Sequence, residues 1–368
     1  MKKIGIITFH RAHNYGATLQ CMALSDILNE TTENYKIEVV NYCNKKIDRD
    51  YSLFRIDKTN YKSIIKSFIS SLIYFTKNDS RRKKYIKYIN NYIPMSREVY
   101  DENDNIFSEY DILICGSDQI WNPKLTGKID NVYFLNVPSD AKKISYAASL
   151  GSNKLNDNVE EYFKLINGIQ SISVREIDGC KKVENLIKRN VKNVLDPTLL
   201  LSVEKWNKYI GNNLKINDKF IFVYSPNNLK EYKEVVNYIS EKMSMGIINF
   251  TKKNIGFNNV IKNMYCSDPS DFLECIMKSD YVVVTSFHAV VFSILFHKKF
   301  WVISPKDNNS RVNTLLSLLG IENRSFESME EFKKIDLEEN IDYKVVDEKL
   351  EQLRKESLQW LLKEISNE

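Results

Sequence analysis

The sequence predicts an α/β protein of two domains with parallel sheets, and three observations carry that reading. Short β-branched runs alternate with helical patterns along the chain, as at Lys3–Thr8, Asp111–Cys115, Lys219–Tyr224 and Tyr281–Thr285. Alternation of this kind builds βα units whose helices cover both faces of a parallel sheet. The polar, irregular stretch Ser202–Asp218 interrupts the pattern once and starts a second series. A length of 368 residues also suits two domains of ordinary size.

The first series opens with the strand Lys3–Thr8, the turn Phe9–Gly16 and the helix Ala17–Leu28, in which Leu19, Met22, Ala23 and Leu24 are apolar. Strands are expected next at Val39–Tyr42, Asp111–Cys115, Lys143–Ser149, Ser171–Val174 and Val194–Leu195. A helix over Val159–Ile169 leads into the fourth of these, and another follows Arg175 and Glu176. The second series reads as the strand Lys219–Tyr224, the helix Lys230–Met243, the strand Gly246–Phe250 and a helix after Ser267. Asp268 suits the cap of that helix and Pro269 its first position. Strands follow at Tyr281–Thr285 and Phe300–Ile303, then a helix with Arg311 in its first turn. Val346, Leu350, Leu353, Leu361 and Ile365 mark a long amphipathic helix at the C-terminus.

Hydrophobic residues make up 43% of the chain and charged residues 27%, a globular balance. No run approaches the ~18 apolar residues of a membrane span, and the N-terminus reads as a strand rather than a signal peptide, so a cytoplasmic protein is expected. The six cysteines (Cys21, Cys43, Cys115, Cys180, Cys266 and Cys275) form no CxxC pair and have no histidine at metal-ligand spacing. Reduced core thiols are expected, rather than a disulfide framework or a zinc site.

The net charge of +5 is unevenly placed. Residues 45–95 hold thirteen Lys/Arg against Asp48, Asp50, Asp57 and Asp79, a net of +9, which leaves −4 for the rest. Within this insertion-like stretch Tyr61, Ile64, Ile65, Phe68, Ile69, Leu72 and Ile73 recur at helical spacing, and Arg81-Arg82-Lys83-Lys84 follows. Two readings stay open: a helix packed on its own domain with a solvated basic face, and a helix lying on an anionic membrane surface. No recognition motif accompanies the charge, so nucleic acid is not expected as a partner.

Three turns after strands carry the candidate chemistry. Phe9–Gly16 holds His10, Arg11, His13, Asn14 and Tyr15, and Gly16 permits the close backbone approach that a bound phosphate or sugar needs. It matches neither GxGxxG nor GxxxxGK[ST], which leaves a nicotinamide cofactor unsupported and excludes a P-loop. Gly116-Ser117-Asp118-Gln119 sets a carboxylate at a strand end, where Asp118 suits a general base and equally a cap for the next element. Thr285-Ser286-Phe287-His288 sets one of only four histidines where a strand meets a fresh helix N-terminus. Open α/β sheets bind ligands at such places. The alternative is a core histidine, because His288, Val291, Phe292 and Leu295 share one helix face. Arg175, Arg311 and Arg324 are candidates for a bidentate grip on an anion.

On these residues the chain resembles the polysaccharide pyruvyl transferases. The resemblance runs, in the family's order, through GIITFHRAHNYGATLQ (5–20), CGSDQIWNP (115–123), SYAASLG (145–151), SVREIDG (173–179), VLDPTLLL (194–201) and TSFHAVVFSILFHKKFWVI (285–303). It implies two Rossmann-like domains in a GT-B-like glycosyltransferase architecture, an active site between them and a C-terminal helix crossing back to the first. The layout expected is a first domain over 1–205 on the acceptor side with the insertion 45–95, a second over 206–345 on the donor side, and the helix over 346–368. The implied reaction moves the pyruvyl group of phosphoenolpyruvate onto hydroxyls of a cell-envelope sugar, polysaccharide-bound or polyprenyl-linked, with phosphoenolpyruvate as donor substrate and no cofactor.

Family catalysis centres on a histidine and arginines near the turn that matches 285–288, and His288 falls on that histidine. Some members carry an arginine two residues earlier, where this chain has Ser286, so Arg175, Arg311 or Arg324 must supply the clamp. The donor is anionic and calls for cations and helix N-termini. Protonation of its C3 develops oxocarbenium character at C2, a task for His288 as general acid. Asp118 is the expected base for the attacking hydroxyl; a second hydroxyl then displaces phosphate and closes a ketal. Asn14, Tyr15, Gly16, Ser117 and Ser286 complete the expected substrate-binding set, and no metal is required. A lipid-linked acceptor favours peripheral contact of 45–95 with the inner membrane face. A homo-oligomer stays open, as do a glycosyltransferase with a nucleotide-sugar donor and an inactive relative.

Overall fold

The computed structural model describes residues 1–54, 61–151, 158–226, 230–251, 256–303 and 310–366. It divides into two compact units, Met1–Leu200 with Leu353–Glu368, and Leu201–Gln352. Each is built on one parallel sheet.

The first sheet has seven strands: β1 (Lys2–Ile7), β2 (Tyr35–Tyr42), β3 (Met95–Val99), β4 (Ile112–Cys115), β5 (Lys142–Ala148), β6 (Ser171–Val174) and β7 (Lys192–Asn193). Their spatial order is β3-β2-β1-β4-β5-β6-β7, and every ladder is parallel. The chain winds outward from β1 to β3, then returns to place β4 on the other side of β1. The order reverses between β1 and β4, and loops leaving their carboxyl ends diverge there to open a crevice. Helices on both faces explain the apolar strands: Ile112, Leu113, Ile114 and Cys115 are all buried, so no alternation is visible in them.

Two expectations for this unit need correction. β3 was not expected, because this edge strand reads MSREV and exposes Arg97 and Glu98. The last strand pairs at Lys192–Asn193 rather than at Val194–Leu195. Leu195 lies beyond the ladder, where its amide donates to Ser357 Oγ at 3.0 Å.

The second sheet comprises β8 (Phe220–Tyr224), β9 (Gly246–Asn249), β10 (Val260–Asn263), β11 (Tyr281–Val284), β12 (Lys299–Ile303) and β13 (Ser325–Phe326), in the order β10-β9-β8-β11-β12-β13. Its ladders are also parallel, and its order reverses between β8 and β11. The helix Pro269–Lys278 starts as expected: Asp268 accepts the amides of Ser270 and Asp271, and Pro269 opens the first turn.

The C-terminal helix Tyr343–Ser366 begins in the second unit, and its last 14 residues, from Leu353 on, belong to the first. There Glu364 Oε2 accepts from Ser171 Oγ at 2.6 Å, and Arg354 Nε donates to the Leu199 carbonyl at 2.8 Å. Leu361 and Ile365 are buried, and Trp360 packs 6.4 Å from the Tyr146 ring. The fold is therefore α/β with two Rossmann-like domains, the first completed by a returning C-terminal helix.

Candidate active site

Every loop at the carboxyl edge of the first sheet is polar, and four of them meet at one buried arginine. Arg175, directly after β6, donates through Nη1 to Asp196 Oδ2 at 2.6 Å, while Asp118 Oδ1 and Glu176 Oε1 stand 3.8 and 3.6 Å from its other nitrogens. Asp196 is fully engaged, since it also accepts Ser117 Oγ at 2.9 Å and the Thr198 amide and hydroxyl at 3.0 and 2.6 Å. Glu176 accepts Ser149 Oγ at 2.6 Å. Burial opposes the guanidinium charge most strongly, but Asp196, Glu176 and Asp118 outweigh it and hold the Arg175 pKa above its ordinary value.

The switch point is tied together by Gln20, which sits in the helix Tyr15–Thr31. Its Nε2 donates to Thr8 Oγ1 at 2.8 Å and its Oε1 accepts the Ser117 amide at 3.0 Å, so one side chain links the loops after β1 and β4. Gly116 lies at φ +124°, and a Cβ there would stand 2.0 Å from the Tyr146 carbonyl oxygen. Asp118 also has a positive φ, 71°, which turns its carboxylate to the rim of the edge.

This geometry reassigns most of the expected binding residues in the first unit. Arg175 faces three carboxylates against its single charge and is a cross-brace, not an anion clamp. Ser117 is completely buried, with its hydroxyl on Asp196 and the Ala147 carbonyl. Asn14 caps the first helix by accepting the amides of Gly16 and Ala17, and the Tyr15 ring is buried beneath the Arg81 guanidinium. Asp118 differs from these: its side chain is 14% exposed, whereas those of Arg175 and Asp196 are 3% and 0%. It is the carboxylate of this cluster that an incoming group can meet.

Beside the edge, over the ends of β1, β2 and β3, lies a cavity of about 630 Å³ lined by His10, Arg11, His13, Asn41, Tyr51 and Arg82 among others. Arg11 is fixed here by Asp48 at 2.7 Å, Asn41 at 2.9 Å and Glu98 at 3.2 Å. His13 lies between the rings of Tyr51 and Tyr85, at 5.9 and 5.6 Å. Burial, then Arg81, Arg82 and Arg11, push its pKa down to about 4. The lining thus joins a neutral imidazole, the ion-paired Arg11, and Arg82 to the apolar side chains of Leu53, Ile86 and Met95. Sequence reasoning missed this cavity, although its HRAH tetrad was visible in the first turn.

The second unit has its own edge. The loops after β8 and β11 are joined by a hydrogen bond between Ser225 Oγ and Thr285 Oγ1 at 2.9 Å. Ser286 precedes the helix Phe287–Leu295, and its side chain makes no cap bond, so the first amides of this helix are not taken by it. His288 occupies the first turn, 6% exposed, with its ring edge-on to Phe287 at 5.2 Å. It stands at the switch point of its sheet, the position the sequence indicated. Arg311 is half-buried in the first turn of the helix Ser310–Leu319, which follows β12. Arg324 is buried against Trp301, 4.7 Å above its ring, and donates to the carbonyls of Glu339 and Asn340 at 3.1 and 3.2 Å. Its guanidinium thus ties the Trp301 ring to the Glu339–Asn340 backbone.

A model of the family described as polysaccharide pyruvyl transferase matches residues 14–308, which include Asp118, Arg175 and His288. The chain belongs to the polysaccharide pyruvyl transferase family. The family is one of transferases in polysaccharide synthesis. Among solved structures, a UDP-N-acetylglucosamine 2-epimerase aligns with a TM-score of 0.52 at 10% identity, over 98% of this chain and 95% of that one. The S. aureus MnaA–UDP co-structure aligns with a TM-score of 0.50 at 13% identity, over 97% and 91%. At such identities these likenesses show the shared GT-B-like fold alone. A comparison with curated protein sequences finds no match.

Proposed function

We propose that this family member transfers the pyruvyl group of phosphoenolpyruvate to hydroxyls of a cell-envelope sugar and closes a pyruvate ketal. The observation that carries the reading is His288, which heads the helix Phe287–Leu295 at the switch point of the second sheet, inside the matched family region. Amides of that helix suit the donor's carboxylate or phosphate, and Arg311, in the first turn after β12, is the arginine proposed to grip it.

Protonated His288 delivers its proton to C3 of the donor, which turns the methylene into a methyl group and leaves C2 electron-poor. An acceptor hydroxyl then attacks C2 while Asp118 takes its proton. The C2–O bond to phosphate breaks as a second hydroxyl of the same sugar adds and its proton passes to the departing phosphate, which releases inorganic phosphate and closes the ketal. The first domain supplies the acceptor side in this reading. Its edge presents an excess of carboxylate, which repels a phosphoester.

Phosphate release from phosphoenolpyruvate, followed with a panel of envelope-type saccharides as acceptors, tests the proposal. Acceptor-dependent release is expected, with His288→Gln and Asp118→Asn each lowering kcat by about 100-fold or more. Arg311→Ala should raise KM for phosphoenolpyruvate. Wild-type turnover in His288→Gln would remove the histidine from the reaction.

A further inference from the structure

We infer that residues 61–92 form a docking surface for an anionic lipid bilayer. The helix Tyr61–Ile73 is inverted relative to an ordinary surface helix. Phe68, Ile69, Leu72 and Ile73 are 45%, 49%, 52% and 69% exposed, while Ser71, on the opposite side, is 5% exposed. A helix stabilised by its own domain turns the apolar stripe inward. Here the serine side faces the protein and the apolar side faces out. The alternative of a helix packed on its own core, left open by the sequence, does not describe this arrangement. Phe75 and Phe54, also exposed, continue the apolar surface and pack together at 5.4 Å. Patches of this kind mark a partner.

The neighbouring helix Phe75–Tyr92 supplies the charge that selects that partner. Lys77, Arg82, Lys83, Lys84 and Lys87 are exposed on it, and Asp79 is its only acidic residue, paired with Lys83 at 2.7 Å. Tyr85, Tyr88 and Ile89 bury its other side, and Arg81 donates to the His13 carbonyl at 3.1 Å, so the basic row is fixed to the first domain. Of the thirteen basic residues in the stretch, Arg55 and Lys58 lie outside the described residues.

An apolar stripe flanked by a cationic row matches the acyl boundary and headgroup layer of an anionic membrane. A second copy of the chain would set the same positive segments against each other. Among the described residues no helix is long and apolar enough to cross a bilayer, so the contact is peripheral. The inference does not rest on the reaction proposed above, since a bilayer without donor or acceptor suffices to test it.

Flotation of the full-length protein with vesicles decides the matter. Binding is expected to vesicles of phosphatidylglycerol and phosphatidylcholine at low salt, to weaken at high salt, and to be absent with phosphatidylcholine alone. Ile69→Asp/Leu72→Asp and Lys84→Glu/Lys87→Glu should each reduce binding ~10-fold or more. All four positions are exposed, and unchanged thermal midpoints would show that the variants remain folded. Failure to float with anionic vesicles at low salt would overturn the inference. So would a dimer, detected by light scattering, that Ile69→Asp/Leu72→Asp dissolves without changing vesicle binding.

Discussion

A buried arginine facing three carboxylates is stable only while each charge keeps its partner. Arg175→Met leaves Asp196 and Glu176 without their cation, and a stability loss of about 3–5 kcal/mol in urea denaturation is expected. Asp118→Asn touches the most exposed member, at 14%, and should leave the urea midpoint nearly unchanged while turnover collapses. Equal stability losses in the two variants would contradict the division into brace and base. His13 adds a pH dependence with a definite sign. Its pKa falls from 6.5 to about 4 in the folded protein, so between those values the unfolded chain binds the proton and the native state does not. Stability should therefore fall as pH is lowered through that window, by up to about 1.4 kcal/mol per unit. His13→Gln should shallow the slope measured from urea midpoints at pH 5 and 7, and His10, also depressed mainly by burial, should retain part of it. The placement of His288 and Asp118 just after strands was legible, because strand ends in such sheets are marked by the sequence itself. Gln20, Glu176 and Asp196 were not, because their partners lie 12 to 97 residues away and only the sheet register brings them together.

Among the elements, central strands could be read and edge strands could not. β4, β8 and β11 are buried on both faces and stand out as apolar runs. β3 and β10 pair on one side only and carry polar residues, and β13 is two residues long. The turn after β4 shows how an element imposes a residue. Gly116 combines φ +124° with a neighbouring carbonyl where a Cβ would stand, so no larger residue fits without moving β5. Gly116→Ala should cost at least about 2–3 kcal/mol in thermal unfolding, through both strain and overpacking. A variant with an unchanged midpoint would mean that the turn is not held as described. The insertion 45–95 was legible as an amphipathic helix with a basic sequel, but not the direction its apolar side faces. Periodicity alone gives a stripe; only the packing of its serine side says which way the stripe turns.

At the scale of the molecule, the polar stretch Ser202–Asp218 announced two domains, and the unit boundary falls just before it, at Leu200 and Leu201. The discontinuity of the first domain was not legible from spacing, because an amphipathic helix does not name the surface it covers. Ending the chain at Gln352 would remove Ser357, Trp360, Leu361 and Ile365 from the first unit. A lowered thermal midpoint or insolubility is expected, even though none of these residues lies at the candidate site. The identity of the donor is tested most directly by thermal stabilisation: wild type and Arg311→Ala, each with phosphoenolpyruvate and with a panel of nucleotide sugars. At ~100 times its dissociation constant a ligand adds about 2.7 kcal/mol to the folded state. A shift with phosphoenolpyruvate that Arg311→Ala diminishes is expected, and none with nucleotide sugars. A shift with nucleotide sugars alone would contradict phosphoenolpyruvate as the donor.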